Sequence, residues 1–268
     1  MDPTLILELL LLGSATGFLA GLLGIGGGML MVPFMTLILS HRGVDGAAAV
    51  KMAIATSMAT ILFTSVSSVR AHHKRGAVRW DIVKVLAPGI VLGGLLGGAG
   101  VFALLKGATL AMVFALFVAF SATQMLLNKK PPPSRQMPGP AGSLGAGGVI
   151  GFISGLVGAG GGFISVPFMS WCNVSMHNAV ATSAALGFPI ALANTLGYVV
   201  GGWSVTSPVP GTVGYLWLPG LAVIACASVF TAPLGARAAH AMNVQQLKKA
   251  FALVLYLLAA YMLTKALE

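Results

Sequence analysis

The chain has 268 residues, of which 57% are hydrophobic and only 7% charged, with a mean hydropathy of +0.95. Soluble domains carry about 25% charged residues, so this composition excludes a soluble enzyme or regulatory domain and describes an all-α polytopic membrane protein. The net charge of +10 sits mainly in short connections between apolar runs and is not interleaved with aromatics, which fits positive-inside topology and argues against nucleic acid as a partner.

A first apolar span runs from about Thr4 to Leu23, near the ~20 residues that cross a bilayer. It follows Asp2 rather than a basic region, so it reads as a span and not a cleavable leader. Gly26, Gly27 and Gly28 then interrupt the helix. The piece from Met29 to Leu39 rises only about 17 Å against a ~30 Å core, and reads as a half-helix. Pro33 lies one turn into it, where a missing N–H is tolerated. After a polar turn with His41, Arg42 and Asp45, a long helix over about Ala47–Val69 carries Lys51 near its start, then Thr56, Ser57, Thr60 and Thr64. The most basic connection follows, Arg70 to Lys84, with Asp81 alone opposing it. Its adjacent His72 and His73 lack metal-ligand spacing and have no acidic or thiol ligand nearby. Helices over about Ile82–Leu105 and Thr109–Leu127 complete the half, and the Pro-rich stretch that follows spans nothing.

The second half repeats the plan. Gly17–Met35 and Gly151–Met169 are identical at 12 of 19 positions at a constant offset of 134 residues, and both contain a glycine triplet followed by a Val-Pro-Phe-Met run. Ala55-Thr56-Ser57 recurs as Ala181-Thr182-Ser183, and Pro88-Gly89 as Pro219-Gly220. The expected elements are a span from about Gly145 to Val157, a short piece over Phe163–Trp171, and a helix over Asn178–Val200. A loop then covers Trp203–Gly214, and helices near Leu216–Ala239 and Leu247–Ala266 close the chain. The expected division is a first transmembrane repeat over 1–128, a cytoplasmic linker over 129–142 and a second repeat over 143–268. Cys172 and Cys226 lie in apolar runs and read as small packed residues.

Equivalent loops differ in charge. Arg70–Lys84 holds five Lys/Arg residues and its counterpart Trp203–Gly214 none, whereas the Ala99–Ala111 hairpin holds only Lys106 and its counterpart Ala236–Lys249 three. A bias that flips between halves predicts inverted-topology repeats, with the linker inside and both chain ends outside.

Irregular backbone at membrane depth survives only where protein buries it or where it lines a polar cavity. Helices that restart at a glycine triplet present bare N–H donors and a partial positive charge, which suits a small anion. The predicted substrate site therefore comprises Gly26, Gly27, Gly28, Gly160, Gly161 and Gly162, the hydroxyls of Thr56, Ser57, Thr182 and Ser183, and the amide of Asn194. The plain alternatives are that the glycines serve close helix packing and that the hydroxyls bond to their own helix carbonyls. Lys51 falls opposite His177 in the repeat register, and either is a candidate to add charge or carry a proton; the alternative for both is snorkelling at the interface. No cofactor, metal site or catalytic group is expected, because the spans hold neither a nucleophile–base pair nor a His/Asp/Glu cluster.

The paired glycine breaks, the Ala-Thr-Ser triplet on the next helix of each half, the Pro-Gly helix starts and the length together resemble the TauE/SafE family of sulfite or organosulfonate exporters. The resemblance covers Gly13 to about Leu263. It implies a secondary transporter in the bacterial cytoplasmic (inner) membrane. It also implies outward movement of a small sulfur oxyanion such as sulfite or sulfoacetate, with protons as the coupling ion. The second half departs from the first in its shorter turn after Trp171, which lacks counterparts of Arg42 and Asp45. Carriage of another small anion or solute, and a non-transporting assembly role, are the alternative readings.

Overall fold

A computed structural model describes residues 2–23, 27–127, 135–205, 209–238 and 244–267. Ten helices follow one another among these residues, five in each half. In the first half they are α1 (Pro3–Leu23), α2 (Gly28–His41), α3 (Gly46–His73), α4 (Trp80–Leu104) and α5 (Gly107–Leu127). In the second they are α6 (Pro140–Val157), α7 (Gly162–Trp171), α8 (Met176–Gly201), α9 (Leu218–Ala238) and α10 (Val244–Leu267). A two-residue-per-strand hairpin, β1 (Thr212–Val213) with β2 (Leu216–Trp217), stands in front of α9. Eight of the described helices are long and apolar enough to cross a membrane; α2 and α7 are the short ones.

Two boundaries differ from expectation for physical reasons. α3 continues through His73 because basic side chains complement the negative C-terminal end of a helix, so Arg70, His72 and His73 sit on its last turn rather than in a loop. α6 starts at Pro140, inside the expected linker, because proline at a first helical position gives up a donor the helix does not use. Asp45 caps α3 by accepting the amides of Ala47 and Ala48, and Ser175 caps α8 by accepting that of Asn178.

The short helices run back along their predecessors. Gly27 lies against the Thr16 carbonyl, about two-thirds of the way along α1, while Arg42 beyond the far end of α2 pairs with Asp2 at 3.4 Å. Thus α2, about 21 Å long, returns along roughly the first two-thirds of α1. In the second half Gly161 sits near Ser154, and Arg135 closes the other end. Its amide donates to the Trp171 carbonyl at 3.3 Å, and its guanidinium lies 4.6 Å from that ring's centroid.

Packing is reciprocal between the halves. α1 packs on α9, and α6, its counterpart, packs on α4; α3 pairs with α8 and α5 with α10. The crossings of α1 on α9 and of α6 on α4 are glycine-lined. Gly13, Gly17 and Gly21 recur at the four-residue spacing that lets membrane helices approach closely, and so do Gly147, Gly151 and Gly155. A Cβ at Gly21 would lie 1.9 Å from the Ala232 carbonyl oxygen, and one at Gly151 2.2 Å from that of Ile90. The repeats are therefore interleaved rather than side by side. Along α4 the backbone widens into a π turn at Leu96–Val101, where Gly98 packs on the backbone of Asn194.

Candidate functional site

The two glycine breaks meet in the middle of this arrangement. Gly27 and Gly161 both adopt left-handed backbone, with φ of 69° and 73°, at the N-cap positions of α2 and α7. That conformation costs other residues roughly 1–2 kcal/mol, which explains the glycine. The Gly27 carbonyl accepts the amides of Leu30 and Met31, and the Gly161 carbonyl those of Ile164 and Ser165. Neither helix start receives a side-chain cap, so the leading amides keep the donor character expected of them. Gly28 reaches across to the other half: a Cβ there would lie 2.2 Å from the Gly158 carbonyl oxygen. Ser57 donates to the same carbonyl at 3.3 Å. Gly26 lies outside the described residues.

Ser183 accepts a hydrogen bond from Ser165 at 2.9 Å and, with Gly160 and Gly187, borders a cavity of ≈ 20 Å³ against Thr64, Ser65 and Ser68 of α3. Room for one water takes about 10–15 Å³, so this volume holds a water and excludes a sulfonate. The centre is closed in this conformation.

Other predicted residues are used differently. Thr56 accepts the amide of Trp217 at 3.0 Å, and Thr182 accepts that of Arg79 at 3.0 Å. Trp217 and Arg79 immediately precede α9 and α4, so each Ala-Thr-Ser threonine caps the fourth helix of the opposite half. The hydroxyls bond across the repeats rather than to their own helix carbonyls. Replacing Thr56 by valine leaves the buried Trp217 amide without its acceptor, and is expected to lower stability by about 1–3 kcal/mol; the Arg79 amide is only partly buried, so Thr182→Val costs less. Denaturant titration of Thr56→Val and Thr182→Val in detergent checks this, and the larger loss is expected for Thr56→Val.

Asn194 is fully buried on α8, against Gly151 and Gly155 of α6. Its Nδ2 donates to the carbonyls of Ile190 at 2.8 Å and Gly151 at 3.3 Å, while Oδ1 has no hydrogen-bond partner among the described residues. It holds α8 to α6 and does not border the central cavity. Tyr198, which the sequence did not single out, donates its hydroxyl to the Gly155 carbonyl and strengthens the same contact. Its ring stacks on Phe102 with centroids 4.4 Å apart.

Lys51 lines a vestibule of ≈ 630 Å³ together with Asp45, Lys106, Tyr215 and Lys265. Its Nζ donates to the Ala103 carbonyl at 3.1 Å and lies 5.1 Å from the Tyr215 ring centroid. Burial pushes the Tyr215 phenol above its ordinary value, keeping it a neutral donor. Three lysines against one aspartate make this mouth electropositive. Lys51 stands about 9 Å along α3 from Ser57. His177 matches Lys51 in register but not in environment: it is exposed on the first turn of α8.

The family model for sulfite exporter TauE/SafE matches residues 9–262. The chain belongs to the TauE/SafE family. This TauE/SafE protein is 36% identical to a probable membrane transporter protein of Haemophilus influenzae over 98% of the chain and 99% of the relative. It is 26% identical to another from Methanocaldococcus jannaschii, covering 95% and 94% of the two chains. No solved structure matches it. Family and relatives agree on an integral membrane transporter.

Proposed function

We propose that this TauE/SafE protein is a secondary transporter that exports a small sulfur-containing oxyanion, sulfite or an organosulfonate such as sulfoacetate, from a bacterial cell across its inner membrane. The observation that carries the reading is the contact of the two glycine breaks, Gly28 against Gly158, each break leading into a glycine-capped helix start without a side-chain cap, with Ser57 on the Gly158 carbonyl and Ser183 on Ser165 of α7. Two positive helix ends, one on each side of that contact, suit an anion and need no buried full charge. The sulfur specificity rests on the family description.

Inverted repeats supply the mechanism. The flipped loop charges and the reciprocal packing of α1 on α9 and α6 on α4 support them. Half-helices at a repeat interface are the recurring site of alternating access, and rocking of the halves would open the closed centre to either side. Among the described residues no carboxylate borders the central cavity, so proton coupling is assigned to the anion, which carries its own proton as a weak acid. Lys51 draws the anion to the vestibule. A unit charge about 10 Å away at an effective dielectric near 20 contributes about 1–2 kcal/mol, so Lys51→Gln is expected to weaken anion affinity on the order of tenfold without loss of fold.

The test is efflux from proteoliposomes loaded with sulfite, sulfoacetate or chloride under an imposed pH gradient. Gradient-dependent efflux of a sulfur oxyanion, with chloride retained, is expected. Equal movement of every anion would replace the sulfur reading with a general anion carrier, and no movement of any would favour an assembly role.

A further inference from the structure

Away from the vestibule, α3, α8 and α9 leave a groove of ≈ 850 Å³ between them. Its walls are apolar along most of their length. Phe63 of α3 and Phe188 and Leu192 of α8 are substantially exposed in it, and Val229 and Pro233 of α9 face them. Four cations close one end: Arg70, Lys74, Arg75 and Arg237. None of the described groove-lining residues is acidic. Arg75 is fixed there, its guanidinium donating to the Ala236 carbonyl at 3.3 Å, and Ser67 donates to Val229 at 3.0 Å across the floor. From Leu62 to Lys74 the groove runs about 18 Å along α3, slightly more than half of a ~30 Å hydrocarbon core.

A slot one leaflet deep, greasy along its length and cationic at one end, matches a single kind of membrane component. We propose that this groove binds an anionic phospholipid, with its phosphate on Arg70, Lys74, Arg75 and Arg237 and an acyl chain along Phe63 and Leu192. Positive-inside topology accounts for cations near that membrane face; it does not account for four of them, from the ends of two helices of opposite repeats and the turn after α3, converging on one apolar slot. The lipid would bridge α3 and α9, and so tie the halves together where the bound phosphate neutralises their mutual charge.

The full chain, purified and delipidated in detergent, is titrated with phosphatidylglycerol or phosphatidylcholine, with bound lipid counted by native mass spectrometry and the unfolding midpoint followed in parallel. Phosphatidylglycerol is expected to bind and to raise the midpoint by several degrees, with phosphatidylcholine doing neither. Each basic residue at an anionic lipid surface is worth about fivefold in affinity, so Arg70→Gln with Arg237→Gln should weaken binding about thirtyfold. Arg79→Gln, whose side chain pairs with Asp81 outside the groove, should leave it unchanged. Equal binding of both lipids by the wild-type chain would overturn the proposal, whether or not the double variant folds. So would full phosphatidylglycerol binding by a folded double variant, or displacement of the lipid by millimolar inorganic phosphate, which would mark a free-anion site.

Discussion

Gly21→Val and Gly93→Val are expected to destabilise the protein by about 3 kcal/mol or more each, at the upper end of overpacking costs. A Cβ at Gly21 would sit 1.9 Å from the Ala232 carbonyl oxygen, and one at Gly93 2.0 Å from that of Gly148. In each case the obstacle is backbone of the opposite half, which cannot turn aside as a side chain can. Because α1 on α9 and α6 on α4 are the interleaved crossings, either valine drives the repeats apart. Gly145→Val on α6 is the control, since nothing lies within 4 Å of its would-be Cβ. Monodisperse recovery after gel filtration, followed by denaturant titration, checks the contrast: both interface variants should fail or unfold early, and the control should match the parent within about 1 kcal/mol.

The second large effect is functional. Gly161→Ala is expected to weaken anion binding by about five- to thirtyfold, the equivalent of the ~1–2 kcal/mol of left-handed strain transferred to the start of α7. The position tolerates the substitution structurally better than its counterpart. Its would-be Cβ approaches the Ile190 Cδ1 at 2.4 Å, a movable side-chain tip, whereas at Gly27 it meets the Thr16 carbonyl at 2.6 Å. Gly161→Ala should therefore remain folded while the leading amides of α7 lose their aim, and Gly27→Ala should suffer in both respects. Isothermal titration of the folded variants separates the two.

How much of this was visible in the chain follows from the range of the interactions. The repeat, the half-helices and the glycine breaks are local patterns, and the left-handed caps fall where the triplets stand. The role of Thr56 and Thr182 was not legible, because their partners, Trp217 and Arg79, lie 161 and 103 residues away. In sequence these threonines look like members of a binding site; in space they cap helices of the other repeat. The bond from the Asn194 Nδ2 to the Gly151 carbonyl of α6 is equally invisible in the chain, 43 residues apart. The four-residue glycine spacing announces a close crossing but not its partner. That the partner comes from the opposite half emerged only from the folded chain. The vestibule depends on Lys51, Lys106, Tyr215 and Lys265, which no periodicity connects.

The most direct test of the anion site is the unfolding midpoint of the purified protein against sulfite, sulfate, thiosulfate, sulfoacetate, taurine and chloride, run beside Gly161→Ala. A ligand held only by the folded form raises the midpoint with concentration. The paired helix starts predict a saturable rise with sulfite or a sulfonate that is absent with chloride and much reduced in the variant. A flat response to every anion in folded wild-type protein, or an unaltered rise in Gly161→Ala, would contradict the assignment of the site to the glycine breaks.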